Sequence, residues 1–377
     1  MTDTIHSILP ECSSSDTRPS GGVRPHAEAP RDRVLPSLIS VSESTGLDAM
    51  AKDLTGIHAW LGEDLQELEN DLKTVAGQPD DLAEKSAAHL LHLSGKRIRP
   101  LCVMAAARVG GRPFDPTVRN LAVAAELVHT ATLLHDDVLD EGSRRRGEPA
   151  ARMIFGNSAS ILGGDFLLTE ALFRVVSTGM RGTLKDLLET VRVMVNAEAL
   201  QLERRGSFEA DRKTYDRVVY GKTASLFAWA MRAGGRAAEL NDEEVGALSQ
   251  VGFGLGMAFQ LVDDLLDLSE DGSMTGKDPL ADIRDGKLTW PLIIACERDP
   301  ELFRTLRHIA ASPDLLNDAS IGEAIRVRTV TTGALPVTRD RARLFANEAI
   351  RQLDSLPNGD ATVCLAGLIG HAVARLV

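Results

Sequence analysis

The sequence is poor in cysteine, in tyrosine and in net positive charge, and each shortage removes a class of protein. Four cysteines occur in 377 residues, Cys12, Cys102, Cys296 and Cys364. None has CxxC spacing, and three lie in apolar segments where a thiol packs as a small hydrophobe. A disulfide framework and a thiolate zinc site are thereby excluded, which suits a reducing compartment, and a cytoplasmic protein is expected. Aromatic residues make up 4% of the chain with only two tyrosines, while Ala, Leu, Arg, Asp and Glu abound. That mix favours packed helices over a β-sandwich. A formal charge of −12 argues against a nucleic-acid surface, which draws on clustered Lys and Arg. No stretch reads as a membrane span: the most apolar, residues 121–134, is interrupted by Glu126 and His129. The N-terminal region has no apolar core of a secretory signal. Its Arg- and Ser-rich character would suit a transit peptide but for Asp3, Glu11, Asp16, Glu28 and Asp32.

Residues 1 to about 40 read as a disordered tail, with prolines at 10, 19, 25, 30 and 36 and no hydrophobic period. From there to residue 377 the pattern is helical, with apolar residues at three- and four-residue spacing. Gly110-Gly111-Arg112-Pro113, Arg181-Gly182 and Gly234-Gly235 read as breaks between helices. No alternating strand pattern emerges. The fold class expected is all-α, a single-domain helical bundle over residues 41–377.

Two of the helices close on carboxylates. Asp136-Asp137-Val138-Leu139-Asp140 ends one apolar helix and Asp263-Asp264-Leu265-Leu266-Asp267 ends another. Residues four apart share a helix face, so Asp136 pairs with Asp140 and Asp263 with Asp267. The middle residues, Asp137 and Asp264, stand about 100° round the helix from their neighbours. Carboxylates at a helix C-terminus repel one another and the partial negative charge of the helix dipole. A divalent cation reverses the sign of that cost. Magnesium suits the arrangement, since it takes one or two carboxylates together with phosphate oxygens and water.

Basic residues answer these clusters from several segments: Gly95-Lys96-Arg97-Ile98-Arg99-Pro100, Arg144-Arg145-Arg146-Gly147, Gly221-Lys222-Thr223, Gly276-Lys277-Asp278 and Gly286-Lys287. Singly, each suits a helix C-terminus. Together with two acidic clusters they form a set for polyphosphate, Arg binding in bidentate fashion and Lys as a point charge. One diphosphate would be held through Mg²⁺ and a second directly by cations, which implies two substrates.

In its order and spacing of motifs, the run ELVHTATLLHDDVLDEGSRRRG with GKRIRP, GKT, FQLVDDLLD and the two later GK pairs resembles the trans-isoprenyl diphosphate synthases. The nearest likeness is to the long-chain polyprenyl members, over about residues 60 to 377. The resemblance implies three Mg²⁺ ions held by Asp136, Asp137, Asp140, Asp263, Asp264 and Asp267. It implies Arg145, Lys222 and Lys277 on an allylic diphosphate, beside Thr223 and Gln260. Lys96, Arg99, His129 and Arg146 would then bind isopentenyl diphosphate, with His135 in support. The implied reaction is head-to-tail prenyl transfer by a homodimer, with a long-chain polyprenyl diphosphate as product for quinone side chains. A water-insoluble product implies a transient membrane contact at release. Two departures stand out: Asn196-Ala197-Glu198 where the family often has Gly and an additional acid, and His371 where an aromatic is common.

Product length should depend on the side chains before the first cluster. Short-chain members tend to carry bulky aromatics at the positions held here by Ala131 and Thr132, with Val128 one turn further back. Small residues there imply an open tunnel and a C40–C50 product, with Phe173 or Met194 as candidates for a deeper floor. A shorter-chain synthase and a non-catalytic subunit of a heteromeric synthase are the alternatives. A terpene cyclase would not be expected to carry GKRIRP or a second DDxxD, and a head-to-head synthase would show different acidic motifs.

Overall fold

The computed structural model describes residues 48–374, apart from 78, 94, 208–210 and 269–280. The expected N-terminal tail and Lys277 lie outside the described residues. Four helices, α1 (Asp48–Ala76), α2 (Leu82–His92), α3 (Ile98–Val109) and α4 (Pro116–Leu139), lead to a two-residue ladder of β1 (Arg144–Arg145) with β2 (Glu148–Pro149). Then follow α5 (Ala151–Phe155), α6 (Asn157–Ser177), α7 (Arg181–Arg204), α8 (Arg212–Val219) and a π-helical turn, Tyr220–Ala224. Next come α9 (Ser225–Ala237), α10 (Asp242–Asp267), α11 (Ala281–Arg284), α12 (Trp290–Arg298) and α13 (Pro300–Ala311). The chain closes with α14 (Ala319–Thr331), α15 (Ala334–Gln352) and α16 (Asp360–Ala374). The all-α expectation holds.

The two helices that carry the acidic clusters have strong N-terminal signals. Asp115 accepts from the amides of Thr117 and Val118 ahead of Pro116 at the first position of α4. Asn241 and Glu244 form a reciprocal capping box at the start of α10. At the other ends nothing basic lies in the last turn of either helix. The favourable charges for those ends must come from elsewhere in the fold.

Helix α9 lies between them, packing against α3, α4, α7 and α10. Phe227 and Trp229 on α9 are fully buried, and the Trp229 indole donates to the Thr183 carbonyl at 3.2 Å. Gly234 and Gly235 are not the expected break but the last full turn of α9. A Cβ on Gly234 would stand 2.2 Å from the Val103 carbonyl oxygen, so the glycine marks where α9 and α3 touch. The break expected at Arg181-Gly182 falls just before it, and α7 starts at Arg181. The missing strand pattern also has a local cause. Arg146 (φ 52°) and Gly147 (φ 85°) form a two-residue turn with both φ positive, joining strands too short to alternate.

Among the described residues one helix, α10, is long and apolar enough by length and composition alone to cross a membrane. Its apolar residues are core: it is covered by α9 and α15, and Val251, Leu255 and Ala258 are almost wholly buried. A helix covered on several sides is apolar round most of its circumference. Cys102, Cys296 and Cys364 are free and buried.

The α9–α10 contact depends on backbone proximity. A Cβ on Gly252 would lie 2.5 Å from the Phe227 carbonyl oxygen, and one on Gly256 would lie 2.5 Å from Ala224 Cα. Gly252→Ala is therefore expected to destabilise the chain by about 1–3 kcal/mol through overpacking. Gly246→Ala, on the same helix with open space around it, should be neutral or stabilising by up to about 1 kcal/mol. Denaturant unfolding of the two variants checks the pair.

Candidate active site

The C-terminal ends of α4 and α10 open on one cavity of about 520 Å³. Asp136 and Asp140 from the first cluster and Asp263 and Asp264 from the second line it. Asp137 and Asp267 do not, and both are buried. Asp137 stands round the helix from its neighbours as expected, whereas in the second cluster it is Asp264, and not the Asp267 expected to share a face with Asp263, that lines the cavity beside Asp263.

The carboxylates of the first cluster each have their own answering group. Asp137, with its side chain 1% exposed, is bound by the guanidinium of Arg145 from β1, which also lines the cavity. Burial nonetheless raises the Asp137 carboxyl above the usual range, and its Oδ2 has no hydrogen-bond partner. Asp140 receives Lys287 Nζ at 2.6 Å on Oδ2 and Arg205 Nη2 at 2.5 Å on Oδ1. Burial is the largest single influence and opposes its ionisation, but Lys287, Lys222 and Arg205 together hold the carboxyl below its ordinary value. Asp136 is 3.9 Å from Lys222. Burial pushes its pKa up to about 6, with Lys222 opposing and Glu198 and Asp140 adding to the rise.

In the second cluster Asp264 is the anchored residue. Its Oδ2 accepts from the Tyr215 hydroxyl at 2.6 Å and the Trp290 amide at 3.1 Å, and its Oδ1 accepts from Gln260 Nε2 at 3.0 Å. Burial, reinforced by Asp282, still raises its pKa to about 6. Gln260 in turn accepts from the Thr223 hydroxyl at 3.0 Å. Thr223 and Gln260 therefore touch, but as part of the scaffold for Asp264.

Lys222 sits on the π-helical turn, where it is ion-paired with Glu198 and donates to Gln201 Oε1 at 2.6 Å. The Asn196-Ala197-Glu198 departure finds its explanation here. A Cβ on Gly221 would be 2.3 Å from that of Ala197. The small residue this contact requires is thus on the facing turn, and Glu198 keeps its acid.

The opposite wall is cationic. Lys96 Nζ lies 5.7 Å from the Phe259 ring centre and the Arg99 guanidinium 4.6 Å from that of Phe227. Burial lowers the Arg99 pKa to about 10, and its Nε has no hydrogen-bond partner. Arg146 is tied to the Leu93 carbonyl at 3.0 Å. His129 faces the same cavity; burial, then Arg99, Arg146 and Arg145, hold its pKa well below the usual imidazole value. It is neutral at pH 7. Arg97, between Lys96 and Arg99, also borders the cavity, but its guanidinium is taken up by other partners. It has φ 46° and is bound to Glu126, Glu69 and the Leu91 carbonyl, so it fixes the segment that presents its neighbours.

Of the candidate length-setting residues, Thr132 lines the cavity. Ala131 and Val128 are packed into the hydrophobic core. Phe173 is 62% exposed on α6 and floors nothing within this chain, whereas Met194 is buried. His135 accompanies the site from behind, its Nε2 3.1 Å from the Ile161 carbonyl. His371 is buried in α16. Tyr215, Glu198, Gln201, Arg205 and the full role of Lys287 escape sequence reasoning. Only Lys287 carried a signal, its place in a GK pair.

Among the described residues no group of three or more His, Cys, Asp or Glu side chains converges on a metal position. An ion here would take one or two carboxylates and draw its remaining oxygens from substrate and water. That is the habit of magnesium rather than of a protein-caged ion. The all-oxygen donors Asp136, Asp140 and Asp263 fit it.

Residues 80–326 match the family model described as polyprenyl synthetase. The chain is 36% identical over 326 residues to octaprenyl diphosphate synthase of Escherichia coli, covering 86% of this chain and 96% of that one. Decaprenyl diphosphate synthase from Rhodobacter capsulatus superposes with a TM-score of 0.79 at 32% identity, over 86% of this chain and 99% of that chain. A polyprenyl synthase from Caulobacter crescentus, complexed with calcium and isoprenyl diphosphate, gives 0.77 at 34% identity over 91% and 98% of the two chains. With both acidic clusters on one cavity and a cationic wall facing them, the chain belongs to the polyprenyl synthetase family of all-helical prenyltransferases.

Proposed function

We propose that this chain condenses isopentenyl diphosphate with an allylic diphosphate, head to tail and in the trans sense, to build a long-chain polyprenyl diphosphate of C40–C50. The observation that carries it is one cavity with two different diphosphate-binding walls. One wall is carboxylate-rich and needs a divalent cation between itself and an anion. The other offers Lys96, Arg99 and Arg146 directly, with a buried Arg99 nitrogen that lacks a partner. A cyclase needs only the first wall. The similar Caulobacter synthase, solved with calcium and isoprenyl diphosphate, and the long-chain names of the relatives support the same reading.

Three magnesium ions, held by Asp136 and Asp140 on one side and Asp263 on the other, would supply Lewis-acid stabilisation of the departing diphosphate. Lys222, Lys287 and Arg145 are placed to neutralise the same leaving group, and Lys277 joins them by its position in the sequence. Such charges act where negative charge develops, in a site with little water. As the allylic C–O bond breaks, its electron pair leaves with the diphosphate. The double bond of isopentenyl diphosphate then attacks the allylic carbon, and a proton is lost from the adjacent carbon. His129 is unprotonated but hemmed by arginines, which makes protonating it costly. It acts as a binding group, and the released diphosphate takes the proton. Phe259, which lines the cavity, helps to exclude water from the cation.

Replacing Asp136 by Ala should lower kcat by roughly 10²-fold or more. Chelation with EDTA should stop turnover reversibly, with magnesium restoring it, as read by incorporation of labelled isopentenyl diphosphate. Retained activity under either condition would refute the assignment.

Thr132, one helical turn before Asp136, is the wall residue nearest the route of the growing chain. Thr132→Phe should shift the product distribution to shorter chains, measured by chromatography of the dephosphorylated products. Ala131→Tyr is the poorer test, because Ala131 is core.

A homodimer is proposed as well. Leu162 and Phe173 on α6 and Leu188 and Val195 on α7 are each at least half exposed, and the members of each pair share a helix face. Large exposed apolar faces mark association surfaces. Light scattering should give twice the chain mass, and Phe173→Glu should shift it towards the monomer. We also propose that residues 41–377 act as one catalytic domain, that the protein is cytoplasmic, and that product release involves transient membrane contact.

A further inference from the structure

Arg205 caps the C-terminal end of α7, outside every motif that marks the site. Its guanidinium uses three nitrogens to join two separate parts of the chain. Nη2 donates to Asp140 Oδ1 at 2.5 Å, Nη1 to the Leu139 carbonyl at 3.0 Å, and Nε to the Asp285 carbonyl at 2.9 Å. The next residue extends the connection through the backbone, the Gly206 amide donating to the Gly286 carbonyl at 2.9 Å. Lys287, beside Gly286, reaches the other oxygen of Asp140 and also Asp285 Oδ2 at 3.1 Å.

We propose that Arg205 is a positioning residue. It clips the end of the first acidic helix to the 282–288 segment that follows the second acidic cluster, and it fixes the Asp140 carboxylate with Oδ1 occupied and Oδ2 turned to the cavity. Three physical points support this. The acceptors are a helix-terminal carbonyl, a carboxylate and a loop carbonyl, all of which want a positive donor, the first because of the helix dipole. A planar fork can serve three acceptors at once where an ammonium on a flexible stem cannot hold the same geometry. The clip and Lys287 also use different oxygens of Asp140. Lys287 can therefore leave Oδ2 when an anion or metal arrives, without the carboxylate losing its orientation.

The catalytic part of the inference rests on the prenyltransfer reading, whereas the clip itself does not. The experiment measures both. Hydrogen exchange of the metal-free full chain without substrate should show the Gly206 amide, and the Gly286–Lys287 amides, exchanging at least tenfold faster in Arg205→Met than in the native chain. In steady-state assays with magnesium, the same variant should lose roughly 10²-fold in kcat, the order expected when a reacting group is misplaced by about 1 Å. KM for isopentenyl diphosphate should stay within twofold, because the Lys96–Arg99 wall is untouched. Arg205→Lys, which keeps the charge and the stem, should restore neither quantity in full. If Arg205→Met does not fold, the lysine variant decides alone.

Native exchange in both variants overturns the clip. Faster exchange with unchanged kcat overturns the positioning role, and full recovery by lysine shows that charge alone is at work. A native chain that makes no prenyl product, yet shows the exchange difference, refutes the proposed reaction and leaves the clip standing.

Discussion

The structure depends on the compensation of carboxylates buried at two helix C-termini. Such ends already carry partial negative charge, and burying an anion there without a partner costs several kcal/mol. Neither α4 nor α10 has a basic residue in its last turn. The answering groups arrive from β1 (Arg145), the end of α7 (Arg205), the π-helical turn (Lys222), the 282–288 segment (Lys287) and, for Asp264, the neutral donors Tyr215, Gln260 and the Trp290 amide. Much of the remaining architecture brings these segments to two points.

That compensation is uneven, and the unevenness divides the labour. Asp137 is held by an arginine through one oxygen, and Asp264 by three neutral donors. They behave as framework for their neighbours. Asp136 faces the cavity with its lysine 3.9 Å away and its pKa raised to about 6 by burial. It is under-compensated, which is the condition that favours a cation. The cationic wall mirrors this. Arg97 is fully paired, while Arg99, with its pKa lowered to about 10, is left with a buried nitrogen unpartnered.

Close backbone contact supplies the precision. Gly256 lets α10 approach the turn that carries Lys222, and Gly221 lets that turn approach Ala197 on α7, one residue from the Glu198 that pairs with the lysine. Positions set by backbone contact move less than those set by long side chains, as electrostatic preorganisation demands.

The helical class and the two acidic clusters are legible in the sequence alone. They depend on local signals: a 3.6-residue apolar period and a four-residue spacing of carboxylates. The sequence also marked Lys96, Arg99, Arg146 and Lys222 by their motifs. Only the tertiary structure decided which Asp of each cluster faces the cavity. It also decided that Gly234-Gly235 is a helix contact rather than a break, that Ala131 is core while Thr132 is wall, and that Arg205 and Tyr215 serve the site at all. The physical reason is common to these cases. A side chain's role follows from what packs against its helix face, and apart from Gln260 the partners described for Asp140 and Asp264 lie 26 to 147 residues away in the chain. No local pattern encodes a contact of that kind.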